Sequence, residues 1–319
     1  MQVKISVIVP TYKRPQLLVK CLEALDRQVF CRDDYEVIVV SDGPDELTEA
    51  IVTDAGFKQL SYLATPQKKG PAAARNIGWL KARGVLVAFT DDDCIPDTNW
   101  LQTIWQEYKG EELIAYTGKT VVPVSQSPTD YERNIANLEV AEFITANCAC
   151  TKQALLKVGG FDERFSMAWR EDSDLHFKFL KHNVPIKQIA AVIVHPVRKA
   201  PWGISLKEQK KGIFNALLYK KYPDLYRQRI KPRPSWNYYA IIAMFVGMLA
   251  GAWLDIFWIV VVCAAMWLLL TLSFTLKRLA NTSKAPDHIV EMLFTSIFIP
   301  FFSLYWQFYG DLKFRALLL

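Results

Sequence analysis

The chain has 319 residues, of which 51% are hydrophobic, 13% aromatic and 22% charged. This excludes a disordered or collagen-like polypeptide and suggests about two folded units. Its mean hydropathy of +0.09 lies above that of an ordinary soluble enzyme and below that of a polytopic transporter, so a soluble domain with a small membrane part is expected. The net charge of +6 is uneven: nine Lys and Arg against two acids, Glu208 and Asp224, fall between Lys207 and Arg233. An apolar region follows that stretch, so an anionic membrane surface suits it better than nucleic acid.

In chain order, Lys4–Val9 is a short β-branched run and reads as a buried strand. Pro15 opens a helix with Leu18, Cys21, Leu22 and Leu25 on one face. Glu36–Val40 is a second strand, closed by the turn cluster Ser41-Asp42-Gly43-Pro44. A helix over Leu47–Ala55, a strand over Gln59–Leu63 and a helix over Ala72–Arg83 follow. The fourth strand, Val85–Phe89, runs directly into Asp91-Asp92-Asp93. Alternation at this spacing predicts βαβ units, hence an α/β fold with a mainly parallel, Rossmann-like sheet. Ligands of such sheets bind beyond the carboxyl ends of the strands. Thr11 to Arg14, Asp42 and the three aspartates all fall at those ends.

Beyond Ile114 the pattern is mixed. Thr117–Val124, Ala146–Thr151 and Lys187–Val194 read as strands, and Lys152–Val158 and Glu171–His182 as helices. Tyr238–Leu276 then carries one charge, Asp255, in 39 residues. As one helix it would be about 58 Å long, about twice the hydrocarbon thickness of a bilayer. A hairpin of two spans, 238–254 and 256–276, turning near Asp255, is therefore expected. Its flanks are both basic, which places them on the cytoplasmic side. Ile289–Tyr309 contains Glu291, Pro300 and Gln307 and is followed by Lys313 and Arg315. An interfacial or re-entrant element is favoured there over a third span. The expected organisation is a catalytic domain over 1–206, a basic juxtamembrane segment over 207–235 and a membrane region over 236–319. Met1–Pro10 reads as a strand, with no basic n-region or long apolar h-region, so the first domain is expected to face the cytosol from the cytoplasmic membrane. The six cysteines form no metal-binding pattern and are expected as buried thiols in a reducing compartment.

Three constellations carry candidate chemistry. Adjacent carboxylates at Asp91-Asp92-Asp93 repel one another and are tolerated around a divalent cation; hard oxygen donors suit Mg²⁺ or Mn²⁺. Glu171 and Asp172, in Arg170-Glu171-Asp172-Ser173-Asp174, offer a general base, although acids also favour a first helical turn. Lys68 to Asn76 combines small residues with Arg75, which can meet a phosphate or a base.

Together the runs SVIVPTYKR, VIVVSDG, GPAAARNIG, FTDDDC, GGFDE and REDSDL resemble the family 2 glycosyltransferases, membrane-linked bacterial members especially. The resemblance covers roughly Lys4–Val197. It implies a GT-A fold, a nucleotide-sugar donor, a divalent metal and inversion at the anomeric carbon. By that similarity Pro10, Thr11, Tyr12 and Arg14 line the nucleotide pocket. Asp42 matches the carboxylate that contacts the base, with Arg75 near it. Asp91 and Asp93 match the ends of the Asp-X-Asp signature, with Asp92 between them, and Asp93 is the expected direct metal ligand. Asp172 matches the catalytic base, with Glu171 beside it. His195, in VHPVR, is expected at the diphosphate or in the metal shell. Ser41 stands where the family usually has a first aspartate. The Gln-X-X-Arg-Trp signature of processive synthases is absent and a channel would need more spans, so a single-addition enzyme is expected; the basic stretch Lys207–Arg233 beside the hairpin points to a lipid-linked, polyprenyl-type acceptor, with membrane lipids as further partners. A sugar nucleotidyltransferase and a catalytically inactive membrane-bound scaffold are the competing readings.

Overall fold

A computed structural model describes residues 3–56 and 58–318. It divides into two units, 1–123 with 136–197 and 124–135 with 198–319.

The first unit is built on an eight-stranded mixed sheet. Strands β1 (Ile5–Thr11), β2 (Tyr35–Ser41), β3 (Leu60–Ala64) and β4 (Leu86–Phe89) run parallel, with β1 between β2 and β4. The β1 and β2 residues are all buried, as expected for a sheet covered on both faces, and this explains their unbroken β-branched runs. Helices α1 (Pro15–Asp26), α2 (Glu46–Asp54) and α3 (Pro71–Lys81) make the crossovers. The expected elements of this half are found to within one or two residues.

The second half of the sheet departs from parallel. β7 (Cys148–Thr151) pairs antiparallel with β4 on one side and with β6 (Ala115–Val121) on the other. β8 (Ile186–Val194) lies parallel to β6, and the short β5 (Ile95–Pro96) closes the edge antiparallel to β8. The periodicity shows β6, β7 and β8 but not their direction, because a buried strand reads the same both ways; the two-residue β5 is too short to be read from it. Helices α4 (Trp100–Glu107), α6 (Lys152–Val158) and α7 (Glu171–Lys181) complete the unit. Two apolar layers form. One, around Leu18, Val37 and Trp100, lies on the α1 side. The other, around Ile8, Trp79 and Phe161, lies on the α3 side.

The second unit is helical: α5 (Asp130–Ala136, in it as far as residue 135), α8 (Ile204–Glu208), α9 (Ile213–Lys221), α10 (Pro223–Arg229), α11 (Trp236–Trp253), α12 (Phe257–Leu279) and α13 (Pro286–Phe314). The basic stretch is thus folded into short helices, with Ile213, Phe214, Leu217 and Leu218 buried. α11 and α12 form the expected hairpin, with Asp255 at φ 55° in the turn. α11, α12 and α13 are each long and apolar enough to cross a membrane. Over 289–309 the chain is one unbroken helix that passes through Pro300.

Candidate active site

β1 and β4 are neighbours, so Thr11 to Arg14 and Asp91 to Asp93 emerge side by side at the carboxyl edge of the sheet. Thr11 Oγ1 donates to Asp92 Oδ2 at 2.7 Å, and Arg14 Nη1 stands 3.1 Å from Asp92 Oδ1 and 3.5 Å from Asp93 Oδ2. The Asp92 side chain is 1% exposed. Burial pushes its carboxyl up to about 6, against the pull of Arg14 and Thr11. Asp92 therefore braces the ends of two strands. Pro10 and Thr11 are buried within β1, whereas Tyr12 is half-buried, and Lys68 Nζ stands 3.8 Å from the centre of its ring.

Asp91 has a different partner. Arg75 Nη2 donates to Asp91 Oδ1 at 2.7 Å and Arg75 Nη1 to Glu171 Oε1 at 3.2 Å. The guanidinium is 3% exposed and Glu171 is 5% exposed, so one buried cation joins the aspartate loop to the first turn of α7. Burial tends to raise the Asp91 carboxyl, but Arg75, with His195 and Arg14 adding to it, outweighs burial and holds the group below its ordinary range. Burial raises Glu171, which Arg75 only partly offsets. Asp172 is also raised by burial, while Ser173 N–H, donating to its Oδ1 at 2.6 Å, works against this. The α7 start is reached through Arg170 in a left-handed conformation, φ 74°.

Two further contacts set the position of α3. Asp42 is buried and accepts from Lys69 N–H at 2.6 Å and Gly70 N–H at 2.9 Å. Its oxygens therefore hold the loop that delivers Arg75. Asn76 donates to Phe161 O and accepts from Phe161 N–H, at 3.0 and 2.9 Å. This locks the Gly160-Phe161 segment onto α3. Asn76 carries no mark in the sequence beyond its place beside Arg75 in GPAAARNIG.

His195 follows β8. Its Nε2 lies 3.7 Å from Asp93 Oδ1, and its buried Nδ1 has no hydrogen-bond partner among the described residues. The Asp93 carboxylate, the His195 ring and the Cys94 thiol offer donor atoms within 4.8 Å of one another. Cys94 is fully buried, and burial, with Asp91 and Asp93 nearby, raises its thiol well above the usual range. The carboxylate oxygen and the imidazole nitrogen are the harder donors of the three, which suits Mn²⁺ or Mg²⁺. The expected residues are thus divided. Arg75 joins Asp91 to Glu171, and a second set joins Thr11, Arg14, Asp92, Asp93 and His195. Asp172 adjoins the first set in sequence, and Asp42, after β2, holds the loop before α3.

Residues 6–169 match the model of the glycosyl transferase family 2, which is about half of the chain. The chain belongs to that family. It is 33% identical over 120 residues to the glycosyltransferase AglE of Haloferax volcanii, covering 37% of this chain and 38% of that protein. It is 24% identical over 274 residues to a chondroitin synthase of Escherichia coli, 71% of this chain and 40% of that protein. It is also 24% identical over 247 residues to a validoxylamine A glucosyltransferase of Streptomyces hygroscopicus, 65% of this chain and 56% of that protein. The matches span between 38% and 56% of these three relatives. Among solved structures, a mannosyltransferase of Pyrobaculum calidifontis in complex with GDP-Man and Mn²⁺ is similar in fold, with a TM-score of 0.53 at 17% identity, over 99% of this chain and 88% of that one. The mixed sheet is that of a GT-A fold.

Proposed function

We propose that the protein is an inverting, metal-dependent glycosyltransferase that moves one sugar from a nucleotide-sugar, a UDP-sugar in the first instance, to a lipid-linked acceptor at the cytoplasmic face of a membrane. The observation that carries this reading is the Asp91–Arg75–Glu171 bridge. It joins the aspartate loop, where a diphosphate belongs, to the helix start that carries a candidate base, in a chain of family 2. Membership of that family also favours transfer over the nucleotidyltransferase alternative.

The residues divide the work as follows. Tyr12 and Arg14 flank the donor, with Lys68 beside the Tyr12 ring. Asp93 and His195, with Asp91 beside them, would hold Mn²⁺ or Mg²⁺, which when bound supplies positive charge to the departing diphosphate. Asp172 takes the proton of the acceptor hydroxyl as that oxygen attacks the anomeric carbon from the side opposite the leaving group. The new C–O bond forms as the sugar–phosphate C–O bond breaks, and the nucleoside diphosphate leaves with the electron pair. Burial raises the Asp172 carboxyl, which makes it a stronger base. Arg75 keeps Glu171 and Asp91 in place without touching the acceptor.

The α11–α12 hairpin supports the membrane location, because a water-soluble product would need no anchor beside the enzyme. The test is release of nucleoside diphosphate by the purified protein in nanodiscs. UDP- and GDP-sugars are offered with Mn²⁺ or EDTA, and with the same acceptor sugar free or on a polyprenyl diphosphate. Turnover should need the metal and should favour the lipid-linked acceptor by at least tenfold in kcat/KM. Equal turnover with EDTA removes the metal role, and equal kcat/KM on both acceptors removes the lipid-linked one.

A further inference from the structure

The helix α13 is long enough to cross a bilayer, yet its neighbours within the second unit are arranged for a helix that does not. We infer that α13 lies in the membrane interface, across the base of the α11–α12 hairpin, with both its ends on the side where the hairpin begins. This rests on reading α11–α12 as a membrane hairpin.

The first observation is where α13 meets the hairpin. Arg278, in the last turn of α12, donates to Thr295 Oγ1 at 2.7 Å and to Ser296 Oγ at 3.0 Å. Tyr239, in the first turn of α11, receives Gln307 Nε2 at its hydroxyl at 3.4 Å and has the Phe308 ring at 6.4 Å. Arg278 and Tyr239 belong to the same, open end of the hairpin, as the edge-on contact of Tyr238 with Phe274 confirms. Residues 295 and 307 are twelve positions apart, about 18 Å of helix. α13 therefore advances about 18 Å while both points stay at the hairpin base. Between them Phe301 meets Phe245 at 5.3 Å, less than two turns further along α11. The helix thus dips inward next to Pro300, where a bend is expected.

The second observation is what runs beside it. Gly203 N–H donates to Glu291 Oε1 at 2.7 Å, and Trp202 packs on Phe294 at 5.4 Å. Lys210 Nζ lies 5.6 Å from the Trp306 ring centre. A Cβ on Gly310 would come within 2.6 Å of Ile213 O, and Lys220 Nζ donates to Phe314 O at 2.7 Å. The chain from 202 to 220 follows α13 in the same direction from 291 to 314, about 34 Å, more than the roughly 30 Å of hydrocarbon. That companion carries Lys207, Lys210, Lys211 and Lys220, three of them exposed. A crossing α13 would draw these charges through the hydrocarbon, where a lysine is strongly disfavoured.

The third observation is the face left open. Phe294, Phe298, Phe302, Tyr305 and Leu312 are exposed, whereas Thr295, Ser296, Gln307 and Asp311 are buried against the unit. Apolar and aromatic groups outward, with lysines alongside, match an interfacial helix on anionic lipid. The occupant of that face is the headgroup–acyl boundary of the bilayer.

The test uses side-specific labelling with a membrane-impermeant maleimide in sealed vesicles of phosphatidylethanolamine and phosphatidylglycerol. Cys31 is exposed in the first unit and marks the catalytic side. Leu317→Cys and Leu254→Cys are at exposed positions, 77% and 55%, so neither disturbs packing. Leu317→Cys should label at least tenfold faster from the Cys31 side than from the other, and Leu254→Cys the reverse. Labelling of Leu317→Cys from the Leu254 side overturns the inference. Labelling of Leu254→Cys from the Cys31 side overturns the hairpin on which it rests, and the two failures are separate. As a second readout, spin labels at Phe294→Cys and Leu312→Cys should report depths within a few ångströms of one another, with Phe302→Cys deeper by no more than about 9 Å, the rise of six helical residues. A deep central label between outer labels on opposite faces overturns the inference as well.

Discussion

Arg75→Ala is the most informative single change, because one buried cation holds two carboxylates from different parts of the chain. Removing one partner of a buried ion pair costs about 3–5 kcal/mol, most of it from the charge left behind. Glu171 is 5% exposed and cannot recover water; Asp91, at 28%, can do so in part. The lower half of that range, about 3–4 kcal/mol, is therefore expected. At about 2–4 °C per kcal/mol for a unit of this size, the apparent melting temperature should fall by about 6–16 °C. The loss should depend on pH. In the native protein burial holds Glu171 above its ordinary value, so its ionisation costs stability as pH rises through that raised value. Asp91 is held low, so its stabilisation is present above the ordinary carboxylate range and is lost as pH falls through its lowered value. Without Arg75 both carboxyls move up, and protonation relieves both. The deficit should be largest near pH 8 and shrink toward pH 5. Arg75→Lys keeps the charge but not the two-pronged reach, and should fall between. Differential scanning fluorimetry of the three proteins across that range is the assay. A variant melting within 2 °C of the parent at pH 8, or a deficit that grows on acidification, would refute the reasoning.

Asp172→Asn should lower kcat by about 10²–10⁴ while donor affinity stays within a few-fold, and the parent's kcat should fall on acidification with a midpoint above the ordinary carboxylate range, seen in a pH–rate profile. Asp93→Ala and His195→Ala should each weaken Mn²⁺-dependent UDP binding in titration calorimetry without shifting the melting temperature by more than a few degrees. Gly70→Ala should destabilise by about 2 kcal/mol or more, since φ is +103° and the new Cβ would come within 2.5 Å of Ser166 O; Gly110→Ala, also left-handed but with open space around it, should lose less, as urea titration can compare.

The parallel half of the sheet was readable because a strand covered on both faces is written as an unbroken β-branched run between helices of fixed period. The direction of the antiparallel β7 was not. CACT is short, and nothing in four buried residues records which neighbour they pair with or in which direction. The basic stretch was read from its charge, while its buried side, Ile213 to Leu218, follows a helical pattern that the lysines obscure. The apolar run 289–309 was read across Pro300, but the helix extends beyond it at both ends, to Pro286 and Phe314, through polar residues that its hydropathy does not mark.

The candidate site shows the same division at the level of single side chains. Strand ends marked the aspartates and the family resemblance gave weight to Arg75 and Glu171, but three adjacent carboxylates carry no mark of how they will be used. The fold separates them by their partners: Arg75 for Asp91, Thr11 and Arg14 for Asp92, Arg14 and His195 for Asp93. Those partners come from β1, α3 and the end of β8, between about 80 and 100 residues away in two of the three cases. Only tertiary packing creates the pairs. Asp42 shows a contact of this kind that no sequence pattern marks. The family resemblance gives it a base contact, and in the fold its oxygens also accept the amides of Lys69 and Gly70. A carboxylate bound to the loop before α3 helps to fix where that helix begins, and with it the position of Arg75.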